Sequence, residues 1–386
     1  MKIRLERDVM AEAVAWAARS LPNRPAVPIL AGLLIKADAK GVTMSSFDYE
    51  TSAQVAVQGQ VIDEGEALVS GRLLSEIARS LPNRPVDFTA NANNVELVCG
   101  SARFVLQMLP VDEYPELPEM PSATGSIASD AFAQAVNQVV VAAGRDELLP
   151  VFTGVRIEIE NETLSLLATD RYRMALKELS WEPEATGLSG AALVPARVLS
   201  EAARSMAGGP AITVALANTD AGEGLIGLTG EGNGGSRQLT TRLLSGEFPK
   251  VRHLMDIRPG LVVRCKTEDI IASVKRVALV AERNTPLRMV IGTDQIELEA
   301  ATGDQAQGSE AVPAQVDNLT GGEPTLTAAG FNPHYLADAL GAIDAPYVHF
   351  SFTVAGKPCL VQGISQIDAD PSSDYKHVIM LMRLPN

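Results

Sequence analysis

The chain has 386 residues, and its 32 Lys plus Arg against 47 Asp plus Glu give a formal charge of −15, which excludes a basic nucleic-acid adhesive acting through its net field. Hydrophobic residues at 46% and charged ones at 20% are a globular composition that excludes disorder as the main state, while 4% aromatics argue against a surface of base-stacking platforms. A chain of this length predicts two or three domains.

In chain order, the first amphipathic segment is RDVMAEAVAWAARSL from Arg7, with Ala, Val and Leu recurring at helical spacing. A strand-turn-strand pattern, GLLIKADAKGVTMSSFD, then ends at Asp48, and a second helix is predicted over RLLSEIARS, Arg72 to Ser80. The strand VDFTA begins at Val86, LQMLPVDEYPELPEM runs from Leu106, and the linker-like PELPEMPSATG spans Pro115 to Gly125. The same order then restarts. A helix begins near Ser129, GVRIEIENETLSLLATD ends at Asp170, RVLSEAARS covers Arg197 to Ser205, and AITVAL starts at Ala211. After TRLLSGEFPKVRHLM, a third round has KTEDIIASVKRVALVAE from Lys266, MVIGTDQIELEAATGD ending at Asp304, NPHYLADAL from Asn332, and YVHFSF from Tyr347.

These are internal repeats. Arg72 to Ser80 recurs at an offset of 125, and the terminal acids Asp48, Asp170 and Asp304 are 122 and 134 residues apart. The expected fold class is α+β: three similar domains, 1–124, 125–255 and 256–386, each with two helices packed on antiparallel sheets.

A domain of that size is about 33 Å across, so six beads in a ring leave an opening of about 33 Å, wide enough for a duplex, whereas three leave almost none. Two chains of three supply six, and head-to-tail contacts between similar domains can close the ring. Basic residues that could face a phosphate backbone are Arg24, Arg72, Arg79, Arg84, Arg197, Arg204, Lys275, Arg276 and Arg283. The competing reading is an ordinary solvated helix face, because Glu76 and Glu201 lie four residues after Arg72 and Arg197.

Taken together, RPAVPILAGLLI (Arg24 to Ile35), ATDRYRMA (Ala168 to Ala175), GEFPKVRHLM (Gly246 to Met255), FNPHYLADAL and the tail VIMLMRL (Val378 to Leu384) resemble the bacterial replicative sliding clamps, the beta subunits of DNA polymerase III. The likeness spans the chain. It implies the DNA clamp fold and a head-to-tail homodimeric ring that encircles duplex DNA, is opened by a clamp loader and tethers the polymerase III alpha subunit and other polymerase or repair proteins. It implies a processivity role with no catalysis and no cofactor.

The resemblance also implies a cleft between the second and third domains for short apolar partner peptides. The matching positions are Phe152, Thr169, Arg171, Tyr172, Arg173, Met174, Pro249, His253, Leu254, Pro358, Val378, Ile379, Met380, Leu381, Met382, Arg383 and Leu384. Thioethers suit adaptable surfaces, and Arg173 or Arg383 could orient a peptide acid. Much of the tail also fits a last core strand, since alternate residues face opposite sides. Where the family's central motif commonly reads ATDGHR-L, this chain has Arg171, Tyr172 and Met174, and it continues past Leu384 with Pro385 and Asn386. A modified cleft, and with it a second clamp copy, is therefore an expectation. For the dimer seam the correspondence indicates Phe104 and Leu106 with Leu279 and Val280, residues that could equally be core.

Other signals are set aside. The G-x-G-x-x-G matches at Gly222 to Gly227 and Gly230 to Gly235 sit in what reads as two strands joined by a glycine-rich turn, not at a strand-to-helix junction. There is no G-x-x-x-x-G-K-[ST] loop and no G-x-S-x-G elbow. Asp48, Asp170 and Asp304 fall one per repeat, as turn-capping acids would. Cys99, Cys265 and Cys359 read as reduced core residues, and the four histidines lack ligand spacing, so no metal is expected. The N-terminus lacks an apolar signal core and no apolar run is long enough to span a bilayer, so a soluble, cytoplasmic protein is expected. The rivals are a scaffold of the same tripled domain unrelated to DNA, and an enzyme with an unrecognised interdomain site.

Overall fold

The computed structural model describes residues 1–22, 24–217, 224–282, 285–303, 305–324, 326–353 and 358–384. Gly222, Arg283, Asp304, Pro385 and Asn386 lie outside the described residues.

The first repeat runs β1 (Lys2–Leu5), α1 (Arg7–Ala17), β2 (Gly32–Asp38), β3 (Gly41–Phe47), β4 (Thr51–Val57), β5 (Gln60–Asp63), β6 (Gly65–Ser70), α2 (Gly71–Ser80), β7 (Val86–Ala90), β8 (Asn94–Cys99) and β9 (Ala102–Gln107). The second repeats that order: β10 (Gly125–Ala128), α3 (Ser129–Val140), β11 (Gly154–Glu160), β12 (Thr163–Thr169), β13 (Arg173–Ser180), β14 (Glu182–Pro183), β15 (Ser189–Pro195), α4 (Ala196–Ser205), β16 (Ala211–Ala217), β17 (Leu225–Gly232) and β18 (Gly235–Arg242). The third is β19 (Leu261–Lys266), α5 (Thr267–Val277), β20 (Leu287–Ile291), β21 (Gln295–Thr302), β22 (Ala306–Asn318), β23 (Ala328–Phe331), α6 (Pro333–Gly341), β24 (Tyr347–Phe352), β25 (Pro358–Ile364) and β26 (Tyr375–Met380). Helices are predicted at all six of these places in the sequence.

Local chemistry explains the boundaries. Ser70 caps α2 by accepting from the Leu73 amide, and Asn332 caps α6 by accepting from His334 and Tyr335, with Pro333 preset for the first turn. Helix α2 buries Leu74, Ile77 and Ala78 and leaves Arg72, Glu76 and Arg79 outside, as its period requires. The two glycine-rich strands are the hairpin β17–β18, turned at Gly234 with φ +82°. Cys99, Cys265 and Cys359 are free and buried.

Each repeat builds two sheets, and after the first residues of its fourth strand have paired in one of them the chain crosses to the other. In the first repeat these are β6-β2-β3-β4 and β5-β1-β7-β8-β9. In the third, β22 does the work of two strands: Ala306 to Pro313 pair with β21, then Ala314 to Asn318 pair with β19.

The chain divides into two compact units, and the second repeat is shared between them. Unit 1 comprises Met1–Gln134, Trp181–Leu188 and Arg197–Leu243; unit 2 comprises Ala135–Ser180, Ser189–Ala196 and Leu244–Asn386. The sharing has a structural cause. In unit 1, β18 pairs antiparallel with β4 from Gly235↔Val57 to Thr241↔Thr51, making one nine-stranded sheet from two repeats. The side chains of Thr51 and Thr241, and of Ser52 and Thr240, bond across that junction at 3.1 and 2.6 Å. Gly235 is required there, since a Cβ would stand 2.1 Å from the Ala56 carbonyl oxygen. In unit 2, β13 pairs with β26 from Arg173↔Ile379 to Lys177↔Tyr375 within a twelve-stranded sheet.

Candidate functional site: the β13–β26 cleft

The cleft positions converge in unit 2, where the second and third repeats meet. At the end of β12 the chain turns sharply, and Asp170 organises the turn: its Oδ1 accepts from the amides of Tyr172 and Arg173, each at 3.0 Å. Thr169 Oγ1 donates to the Arg173 carbonyl at 2.7 Å and accepts from the Arg171 amide at 3.2 Å. Asp48 does the same in the first repeat, accepting from Glu50 and Thr51, so these two acids are turn caps. The turn holds Arg171 at φ +82°.

The C-terminal segment lies against this turn. The Met380 amide donates to the Tyr172 carbonyl at 2.8 Å, and the Met382 amide donates to the Gly330 carbonyl at 2.8 Å. Beneath them, Met174 and Val378 join Leu167, Leu176, Leu193, Phe248, Met255 and Leu360 in one buried apolar cluster. Beside it a cavity of about 430 Å³ is lined by Leu167, Phe248, Pro249, Val251 and His253, with Arg156, Glu158 and Arg252 at its polar side. Arg252 bridges Glu178 and Glu158 at 2.8 and 3.3 Å.

Of the expected cleft residues, Phe152, Pro249, Pro358, Met380, Leu381, Met382 and Leu384 are half-buried, and Arg171, Tyr172, His253, Leu254 and Arg383 are exposed. Thr169, Arg173, Met174, Val378 and Ile379 are buried, so they supply floor and frame. For Arg173 this corrects the sequence expectation of a peptide-orienting cation. Its guanidinium is closed in by Asp170 at 3.0 Å and Asp338 of α6 at 2.6 Å, and stacks 4.3 Å from the Tyr335 ring centroid. It ties the turn to α6 instead. Arg171 is the exposed cation of the turn, 5.6 Å from the Phe152 centroid and 5.8 Å from that of Tyr172.

Behind the frame His377 is fully buried and bonds Tyr375 Oη at 2.9 Å; burial, reinforced by the Arg173 charge, pushes its pKa down to about 3 and keeps the ring neutral. Leu167, Val251 and Arg252 escaped the sequence reading, because nothing in strand alternation separates a pocket-lining Leu or Val from a core one.

Family models match the chain in succession: the DNA polymerase III beta subunit N-terminal domain over residues 1–118, its central domain over 126–250 and its C-terminal domain over 260–383. The chain belongs to the DNA polymerase III beta subunit family. It is 50% identical over 384 residues to the beta sliding clamp of Streptomyces coelicolor, covering 100% of both chains, and 38% identical to the beta sliding clamp homolog GriR of Streptomyces muensis, covering 99% of both. In fold it matches the DNA polymerase III subunit beta of Pseudomonas aeruginosa solved bound to griselimycin, with TM-score 0.87 at 22% identity and 100% of both chains covered. Sliding-clamp function follows from this membership, and the scaffold unrelated to DNA is not favoured.

For a clamp, the other expected positions are those facing DNA and those at the seam. Arg24, Arg72, Arg79, Arg84, Arg197, Arg204, Lys275 and Arg276 are all exposed. Some of their charge is met within the chain: Arg276 bonds Glu310 of β22 through two nitrogens, one at 2.8 Å, and Arg204 lies 3.6 Å from Glu201. At the seam, Leu279 is 84% exposed, Phe104 and Val280 are half-buried, and Leu106 is only 3% exposed. Leu106 is thus a core residue of its own unit. Its neighbour Val105, 59% exposed, is the apolar side chain that β9 offers outward.

Proposed function

We propose that two copies of this chain close head to tail into a ring around duplex DNA, without sequence readout, and that the β13–β26 cleft captures short apolar peptides of the polymerase III alpha subunit, the clamp loader and repair proteins. The role is that of a cytoplasmic, non-catalytic processivity subunit, with repeat boundaries near residues 124 and 255. No described helix is long and apolar enough to cross a membrane.

One observation carries the dimer. The same junction occurs twice within the chain, the last strand of one repeat pairing with the fourth strand of the preceding one: β18 with β4, and β26 with β13. Its two halves are left over. Strand β9 is the edge of its five-stranded sheet, and among the described residues Ala306 to Val312 of β22 pair only with β21. A third junction, β9 of one chain with β22 of another, uses both edges, and two-fold symmetry then closes the ring. The exposed Leu279 stands just beyond α5, the helix packed on β22, as an apolar seam requires.

The cleft is read as altered. Arg171 and Tyr172 put a cation and an aromatic ring where the family commonly has glycine and histidine, and Met174 replaces leucine in the floor, so peptide preference differs while the backbone frame is kept. Whether that marks a second clamp copy is decided by the partners this chain selects.

Loader-dependent retention on a nicked circle, with release on linearisation, tests the reading. Retention that survives linearisation, or is absent with an active loader, overturns it.

A further inference from the structure

The cavity of about 430 Å³ beside the cleft has Arg156 and Glu158 of β11 and Leu167 of β12 on one side, and on the other the connector that follows β18. That connector is a fixed wall. The Val251 amide donates to the Pro249 carbonyl and the Leu254 amide to the Val251 carbonyl, each at 2.9 Å, and the single helical turn Arg252–Met255 ends it. Cavity and cleft share this wall, since Pro249 and His253 are cleft positions that also line the cavity. They share a floor as well, because Leu167 and Phe248 lie in the same buried cluster as Met174 and Val378.

The charges around the cavity are already matched to one another. Glu158 Oε1 accepts from Arg156 Nε at 2.6 Å and its Oε2 lies 3.3 Å from Arg252 Nη2, while Arg252 Nη1 donates to Glu178 Oε1 at 2.8 Å. Two guanidiniums thus face two carboxylates, Glu247 and Lys250 at the exposed rim add one charge of each sign, and His253 completes the titratable set. A charged ligand would have to displace an existing ion pair in order to make its own, whereas an uncharged one meets no such cost. The two carboxylates take N–H donors at the edge of the Arg252 guanidinium, whose side chain is 49% exposed, and this leaves its planar faces open for stacking.

We infer that this cavity is a further subsite for partner peptides, taking an uncharged aromatic residue that flanks the apolar anchor, with its ring laid on the Arg252 guanidinium and its edge against Leu167 and Val251. The inference rests on the cleft reading above and adds to it the residue class read next to the anchor. An aromatic side chain suits both sides of the cavity, offering apolar area to the floor and the negative face of its ring to the cation. A volume of about 430 Å³ is in the range of pockets that enclose a ligand group. A peptide lying along Pro249 reaches the cavity without leaving a wall it already touches, so the aromatic stands within a few residues of the anchor.

Fluorescence anisotropy on the full-length protein tests this with a labelled apolar peptide, alone and extended at either end by two glycines and then tryptophan, alanine, glutamate or lysine. The tryptophan extension at one end is expected to bind about tenfold tighter than the alanine extension, through ring burial and the cation–π contact together, with glutamate and lysine no tighter than alanine. Arg252→Lys keeps the charge between Glu158 and Glu178 but has no planar face, and there the gain should fall to about threefold or less. Taking the tryptophan-to-alanine ratio within each protein removes any effect of the substitution on the unextended peptide. Tryptophan and alanine within about twofold at both ends, a glutamate or lysine extension that binds tighter than tryptophan, or a gain kept whole in Arg252→Lys overturns the subsite. Failure of the unextended peptide to bind overturns the cleft reading and this inference with it, whereas its binding without an aromatic gain overturns this inference alone.

Discussion

Arg171 sits at φ +82°, a conformation that costs a non-glycine residue about 1 kcal/mol, at a position where the family commonly has glycine. The turn imposes that backbone through Asp170 and Thr169, and the side chain is the exposed cation beside Phe152 and Tyr172. Arg171→Gly therefore separates two effects. Relief of strain is expected to raise stability by about 1 kcal/mol in denaturant unfolding. Loss of the cation is expected to weaken a clamp-binding peptide carrying an aspartate about two- to fivefold, the range of an exposed ion pair, while its uncharged analogue binds as before. Equal changes for both peptides would mean that Arg171 shapes the cleft without reading charge. The turn-capping role of Asp170 was legible in the sequence, because an acid at a strand end repeated in each copy serves amides within three residues of itself. The fate of Arg173 was not, since its second carboxylate, Asp338, is 165 residues away.

All six helices were legible, because each carries its apolar residues at a 3.6-residue period. Strands that join repeats carry no such mark. Nothing in GSRQLTTR distinguishes a strand paired on one side from β18, which pairs with β17 and β4. The seam is subject to the same blindness: Phe104 and Leu106 look alike in sequence, but Leu106 faces the core while Val105 faces out. The side chain to test is therefore Leu279, with Val280 beside it. Leu279→Asp/Val280→Asp puts two carboxylates into a closed seam at about 2 kcal/mol or more each, roughly a thirtyfold loss of affinity per substitution. Sedimentation velocity at micromolar concentration should show monomers with unchanged secondary structure, and a persisting dimer would remove these residues from the interface.

At the scale of the whole chain, sequence arithmetic treated the repeats as separate beads, whereas sheets run through the boundaries and the second repeat is divided between two compact units. Offsets of about 125 residues reveal how many copies there are; only strand pairing reveals that neighbours share sheets. The charge arithmetic leads further. A chain at −15 cannot hold DNA by its net field, and the paired Arg276 and Arg204 reduce the free cations still more. Retention must then come from closure, and closure and adhesion respond differently to salt. Salt cations compete with the protein for every phosphate it touches, so the affinity of an adhesive complex falls steeply with salt, whereas a topological link does not depend on touching phosphate at all. Raising NaCl from about 50 to about 300 mM should therefore weaken binding to a linear fragment by about fivefold for each phosphate touched. The half-life of the loaded protein on a closed circle should stay within about twofold, limited by opening of apolar seams that salt does not screen. Parallel decay of both complexes with salt would show that the protein clings to DNA and does not enclose it.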